Sequence, residues 1–161
     1  MDSITTRTGD SGFTSIMNRR VRKTDPTIKL IGKIDELVSI IGYVKSMILY
    51  DEMDELQELL KNLLNNLAYE KDIDRHMIEL LDRKIESLET SIGVKLEKFV
   101  KPKGKSALVH YIRALVRETE IVAWETNFTN ISIFMNRLSD YIFLLALKSS
   151  MDNNEFEYFK S

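Results

Sequence analysis

The chain has 161 residues, 23 Lys+Arg against 25 Asp+Glu, a formal net charge of −2, 6 Gly, 2 Pro and no Cys. That length suits one domain with a sizeable core, and 43% hydrophobic residues exclude wholesale disorder. The charge balance argues against a sequence-nonspecific nucleic-acid binder, which needs a cationic surplus. Absent Cys removes disulfides, Cys-ligated metals and thiol chemistry. The longest apolar run, around residues 141–147, is too short to span a bilayer. The polar N-terminus, with Arg7, Gly9 and Asp10, lacks the apolar stretch of a signal peptide. A cytoplasmic protein that binds neither nucleic acid nor membrane is expected.

Residues 1–24 are polar and Thr/Gly/Arg-rich, without hydrophobic periodicity, and no strand is expected there. Thr6-Arg7-Thr8-Gly9-Asp10-Ser11-Gly12-Phe13-Thr14-Ser15 combines hydroxyls, an Arg and two glycines. Glycine lets backbone N–H groups face an anion and Thr/Ser add donors, so the segment can cradle a triphosphate. A flexible polar tail is the competing reading. No Gly-Lys-Ser/Thr follows, so this is not a Walker A loop. Arg19, Arg20, Arg22 and Lys23 add positive charge downstream.

Asp25-Pro26 predicts a helix start, Asp as N-cap and Pro at the first helical position. Leu30, Ile34, Leu37, Ile41, Val44 and Ile48 then line one face. Met53, Leu56, Leu60, Leu63 and Leu67 repeat the pattern, as do Ile78, Leu81, Ile85, Leu88 and Ile92. Pro102 and Gly104 punctuate a loop over residues 99–105. A fourth helix is expected to bury Leu108, Leu115 and Val122, and a fifth Ile131, Phe134, Leu138, Tyr141 and Leu145. The fold class is therefore all-α: an antiparallel five-helix bundle over residues 26–152, with a four-helix ferritin-like core plus one helix, within a single domain of residues 1–161. Residues 153–161 read as a disordered tail rather than a cap over a ligand.

What lies off the seams carries the functional signal. On the fourth helix Arg113, Arg117, Glu120 and Trp124 share a stripe placed opposite Leu108, Leu115 and Val122. It reads either as a solvated charged face or, because the one Trp lies among Arg side chains, as a covered interface or ligand site. Asp35, Ser39, Gly42 and Ser46 form a second stripe, where Gly42 suits a helix–helix contact or a ligand equally well. Asn136, Asp140 and Phe143 form a third. Three such stripes point to oligomerisation with a site between subunits. His76 and His110 lack paired ligand spacing, and no Glu-x-x-His exists for a di-iron centre, so a resident metal site is not expected.

Three blocks in order carry a family resemblance: the Thr6–Thr14 segment with Lys23 and Gly32-Lys33-Ile34-Asp35-Glu36-Leu37; Phe99-Val100-Lys101-Pro102 through His110 with Arg113-x3-Arg117-x2-Glu120; and Asn136-Arg137-Leu138-Ser139-Asp140-Tyr141-Ile142-Phe143. The chain resembles the PduO-type ATP:corrinoid adenosyltransferases. The resemblance implies a homotrimer with active sites between subunits and Mg²⁺ accompanying ATP. It also implies a reductase for the corrinoid and an adenosylcobalamin-dependent mutase as recipient of the product. By position Thr6, Arg7, Thr8, Gly9, Thr14, Ser15 and Lys23 would bind ATP, and Arg117, Glu120 and Asn136 would complete the nucleotide and Mg²⁺ site. Asp35 and Arg113 would pair across the subunit boundary beside cobalamin, and Phe99 would displace the lower axial ligand of cobalt. Arg117, Glu120 and Phe99 would be catalytic. Where relatives commonly carry two successive Arg, this chain has Arg117-Glu118. The alternative is a non-catalytic trimeric carrier or sensor of ATP or corrinoid.

Overall fold

A computed structural model describes residues 4–17, 19–48 and 50–160; residues 1–3 of the predicted N-terminal segment and residue 161 of the predicted tail lie outside the described residues. A hairpin of β1 (Phe13–Ile16) and β2 (Arg19–Arg22) precedes five helices: α1 (Pro26–Lys45), α2 (Glu52–Ala68), α3 (Arg75–Ile92), α4 (Ser106–Ala123) and α5 (Thr129–Asp152). The closest backbone approaches place α1 between α2 and α4, and α5 between α3 and α4. The result is the expected five-helix bundle.

The predicted start of α1 is present: Asp25 accepts from the Thr27 N–H at 2.9 Å, with Pro26 next to it. The α1 and α2 seams are buried, from Leu30 to Ile48 and from Met53 to Leu67. On α3 only Ile78 and Leu81 are fully buried, because α3 packs chiefly on α5. Gly42 belongs to a helix–helix contact. A Cβ there would lie 3.0 Å from Gln57 Nε2, which itself donates to the Val38 carbonyl across the α1–α2 boundary.

Three expectations need correction. The N-terminal segment does contain strands, pairing Phe13 with Arg22 and Ile16 with Arg19 and burying Ile16 and Val21. Four-residue strands are too short to show alternation, so the hydrophobic pattern could not reveal them. On α4 the buried face is Val109, Ile112, Val116, Thr119 and Ala123, while Leu108, Leu115 and Val122 are only partly covered. The Arg113–Arg117–Glu120–Trp124 stripe therefore borders the core instead of opposing it. Finally, the tail is ordered. Lys101 N–H donates to the Glu157 carbonyl at 2.8 Å and Phe159 N–H to the Phe99 carbonyl at 3.1 Å, so residues 157–159 pair with the loop that carries Phe99.

The tail also starts α4. Lys105 offers no side-chain cap, and the Glu155 carboxylate takes its place, accepting from the Lys105 and Ser106 N–H groups at 2.9 Å each. Gly104, at φ +54°, is needed twice over: the left-handed backbone favours glycine, and a Cβ would meet the pinned Glu155 carboxylate. Those two N–H groups hold the Glu155 carboxyl below the ordinary glutamate value. The sign follows: its stabilisation is complete above an ordinary glutamate pKa of about 4.3 and is lost as pH falls through the lower folded value. Glu155→Ala should cost about 1 kcal/mol at pH 7, as lost caps do, and the gap in melting temperature from wild type should narrow as pH falls below the ordinary glutamate range.

Candidate active site

Two halves of a site emerge at separate places. At the hairpin end, residues 6–12 fold into tight turns in which Gly12 N–H donates to the Gly9 carbonyl and Lys23 N–H to the Gly12 carbonyl. Arg7 holds a left-handed backbone at φ +53°, and the Thr6 and Thr8 hydroxyls lie 3.0 Å apart. Arg20 braces the loop from β2, donating to the Thr8 carbonyl at 3.1 Å and to Ser11 Oγ at 3.3 Å. The Lys23 ammonium crosses directly over Gly9, where a Cβ would lie 2.7 Å from Nζ, so glycine there permits the close approach. Thr14, Ser15 and Lys23 line one cavity of about 530 Å³ with Ile28, Ile31 and Ala68. Hydroxyls and a cation at this end of the bundle suit a polyanion. Arg20, which the sequence shows only as one of several cations, is thus a brace of this loop.

The other half is apolar. A cavity of about 900 Å³ is lined by Leu96, Phe99, Val100, Pro102, Phe143 and Phe159, with His110, Arg113, Glu97, Lys98 and Lys160 as polar members. Phe99 stands 87% exposed at its mouth, an unusual position for so large an apolar ring. His110 is buried, its ring edge-on to Phe143 at 6.0 Å, and its Nε2 has no partner. Burial, and then the Arg113 charge, pulls its pKa below the ordinary imidazole value, so at neutral pH it is uncharged. In the sequence His110 stands at the end of a motif block and lacks metal-ligand spacing; its burial beside Phe143 arises only in the fold. Arg113 Nε is likewise buried without a hydrogen bond, and among the described residues no ion pair joins it to Asp35, which is exposed on α1.

Arg117 and Trp124 are exposed on α4, Glu120 is half-buried between them, and Asn136 is half-buried on α5. Trp124 Nε1 donates to Glu120 Oε1 at 3.3 Å. Glu118 is engaged by Lys33 Nζ at 3.1 Å, which also meets Glu36 at 3.0 Å. Arg117, Glu120 and Asn136 line neither cavity. One chain thus gathers Phe99 with Arg113 and Thr14 with Lys23, and leaves the third group on its surface. Among the described residues no cluster of three His, Cys, Asp or Glu could hold a metal. No helix among them is long and apolar enough to cross a membrane.

A polar, cation-bearing loop at one end of a helical bundle and an apolar cavity with an exposed aromatic at its mouth fit the class of group-transfer enzymes that join a polyanionic donor to a large acceptor. The profile of the cobalamin adenosyltransferase family matches residues 4–149, and the chain belongs to that family. It is similar to the corrinoid adenosyltransferase of Citrobacter freundii, at 32% identity over 91% of this chain and 94% of that protein. The human corrinoid adenosyltransferase is 30% identical over 98% of this chain and 74% of its own length. Among solved structures, a variant PduO-type ATP:corrinoid adenosyltransferase from Lactobacillus reuteri complexed with cobalamin and ATP superposes with a TM-score of 0.86, at 26% identity, covering 99% and 97% of the two chains.

Proposed function

We propose that this chain transfers the 5′-deoxyadenosyl group of ATP to cob(I)alamin, releasing triphosphate and forming adenosylcobalamin. The observation that carries the reading is the apolar cavity shared by Phe99 and Arg113 in a chain that also holds the polyanion loop. Cobalt(I) is itself the nucleophile: its electron pair forms the cobalt–carbon bond as the C5′–O bond breaks, and triphosphate leaves with the electron pair of the C5′–O bond. The protein therefore needs no base. It must align the reactants, a contribution of up to about 7–11 kcal/mol, and stabilise charge growing on the leaving group.

In this proposal Thr6, Arg7, Thr8, Gly9, Thr14, Ser15 and Lys23 hold the triphosphate, and Arg117 faces the leaving oxygen. Asn136 and Glu120 complete the nucleotide site. Mg²⁺ would travel with ATP, since such ions take one or two protein carboxylates plus phosphates; Glu120 is the carboxylate available, and the ion would add charge neutralisation. The two half-sites meet between copies of a homotrimer, with Asp35 of one copy against Arg113 of the next. A cytoplasmic setting, a one-electron reductase and an adenosylcobalamin-dependent mutase complete the proposal.

An anaerobic assay with strong reductant, following cob(I)alamin loss at its own absorbance, tests the reaction. Saturable ATP binding without cob(I)alamin loss would identify a carrier. Phe99 would cover the lower face of the corrin and keep its ligand away from cobalt, easing reduction by about 59 mV per tenfold of differential binding. Phe99→Ala should lower turnover from cob(II)alamin at least about tenfold while leaving the melting temperature unchanged, since an exposed ring contributes little to the core. Wild-type turnover in that variant would remove Phe99 from the mechanism.

A further inference from the structure

We propose that Trp124 is the platform on which the purine ring of the nucleotide stacks; the inference rests on the ATP reading above. Trp124 is the one Trp of the chain and caps the end of α4, 53% exposed. Its ring is held in place. The bond from Nε1 to Glu120 reaches one turn back along the same flank and uses the only polar atom of the side chain. What remains for a ligand is a π-face beside the carboxylate assigned to the nucleotide. A π-face suits a purine, because base–aromatic stacking needs no hydrogen-bond pattern.

The surroundings favour a nucleotide over a second copy of the chain. The indole shares its flank with the Arg117 guanidinium and is bonded to the Glu120 carboxylate; Trp and Arg suit protein–protein contacts too, but Glu is depleted there. A nucleotide brings phosphates to the Arg, an ion to the carboxylate and a flat ring to the indole. The end of α4 is also tied to the first turns of α1, where Lys29 Nζ meets Glu125 Oε2 at 2.9 Å. Trp124 and the entry to α1, which follows Lys23, therefore occupy the same end of the bundle.

A lone Trp makes emission a direct reporter. ATP added to the wild-type protein with Mg²⁺ should quench or shift the indole emission along the same isotherm that calorimetry gives for ATP binding. Inorganic triphosphate, which has no purine, should bind without that change. Trp124→Phe should keep ATP affinity within twofold, and Trp124→Ala should weaken it about five- to tenfold, the lower range for base–aromatic stacking, with triphosphate affinity unchanged. ATP binding seen by calorimetry with no change in emission, and at wild-type affinity in Trp124→Ala, would overturn the stacking role and leave the ATP reading intact. The same holds if Trp124→Ala alters only the sedimentation coefficient, which would assign the indole to a contact between copies. Wild-type protein that binds no ATP by calorimetry would overturn the ATP reading itself.

Discussion

Arg117→Ala is expected to lower kcat/KM for adenosyl transfer by about 10²–10³-fold, the usual loss when one charge-stabilising donor is removed. Its guanidinium is exposed and has no internal partner among the described residues, so the fold does not depend on it. Surface changes of that kind stay within about 0.5 kcal/mol, a melting shift of about 2 °C at this size. Kinetics separate two roles. An equal fall in kcat and kcat/KM marks a contact made in the transition state, as charge develops on the triphosphate; a raised KM alone marks ordinary ATP binding. Glu118, the next residue, is occupied by Lys33, so its negative charge is partly offset without drawing on Arg117. A variant that melts several degrees early with unchanged kcat would remove Arg117 from catalysis.

Asp35→Ala should weaken both assembly and corrinoid binding, by about 3–5 kcal/mol if the boundary is fully desolvated. The motive is Arg113, whose Nε is closed off from water and lacks a hydrogen bond within the chain. A buried guanidinium nitrogen left unsatisfied is costly, and an exposed carboxylate on α1 of a neighbouring copy is the proposed remedy. Sedimentation equilibrium reads the assembly and spectral titration with cob(II)alamin reads the affinity. Arg113→Ala should reproduce the loss, and the double variant should add little to either single one, as coupled partners do. Additive losses, or assembly and affinity both unchanged in Asp35→Ala, would break the pairing.

The Glu155 cap, Phe99 exposure and Trp124 emission test narrower points. Together they show how unevenly the site could be read in advance. Thr6–Lys23, Phe99, Arg113, Arg117, Glu120 and Asn136 are proposed on motif order, a property of the sequence that needs no tertiary contact. His110 was visible as a residue but not as a buried, neutral one, since burial depends on Phe143 33 residues away. Arg20 as a brace and Glu155 as a cap leave no trace in any window, because each acts on backbone far along the chain or across a turn.

What the sequence by itself determined is the set of helices and the faces of α1 and α2. Their apolar spacing of three and four residues is a local property, and each packs one broad side, so period and burial coincide. The core face of α4 was decided only by tertiary structure. That helix carries apolar residues around most of its circumference and packs on both α1 and α5, so periodicity admits more than one orientation and the neighbours select Val109, Ile112, Val116 and Ala123. The same holds for helix starts satisfied from a distance. Asp72 accepts from the Asn130 and Ile131 N–H groups of α5 at 2.9 and 3.0 Å, as Glu155 does for α4. Hydrogen-bonding partners 49–59 residues apart become neighbours only after the chain has collapsed, and no local pattern encodes which remote carboxylate will reach which orphaned amide.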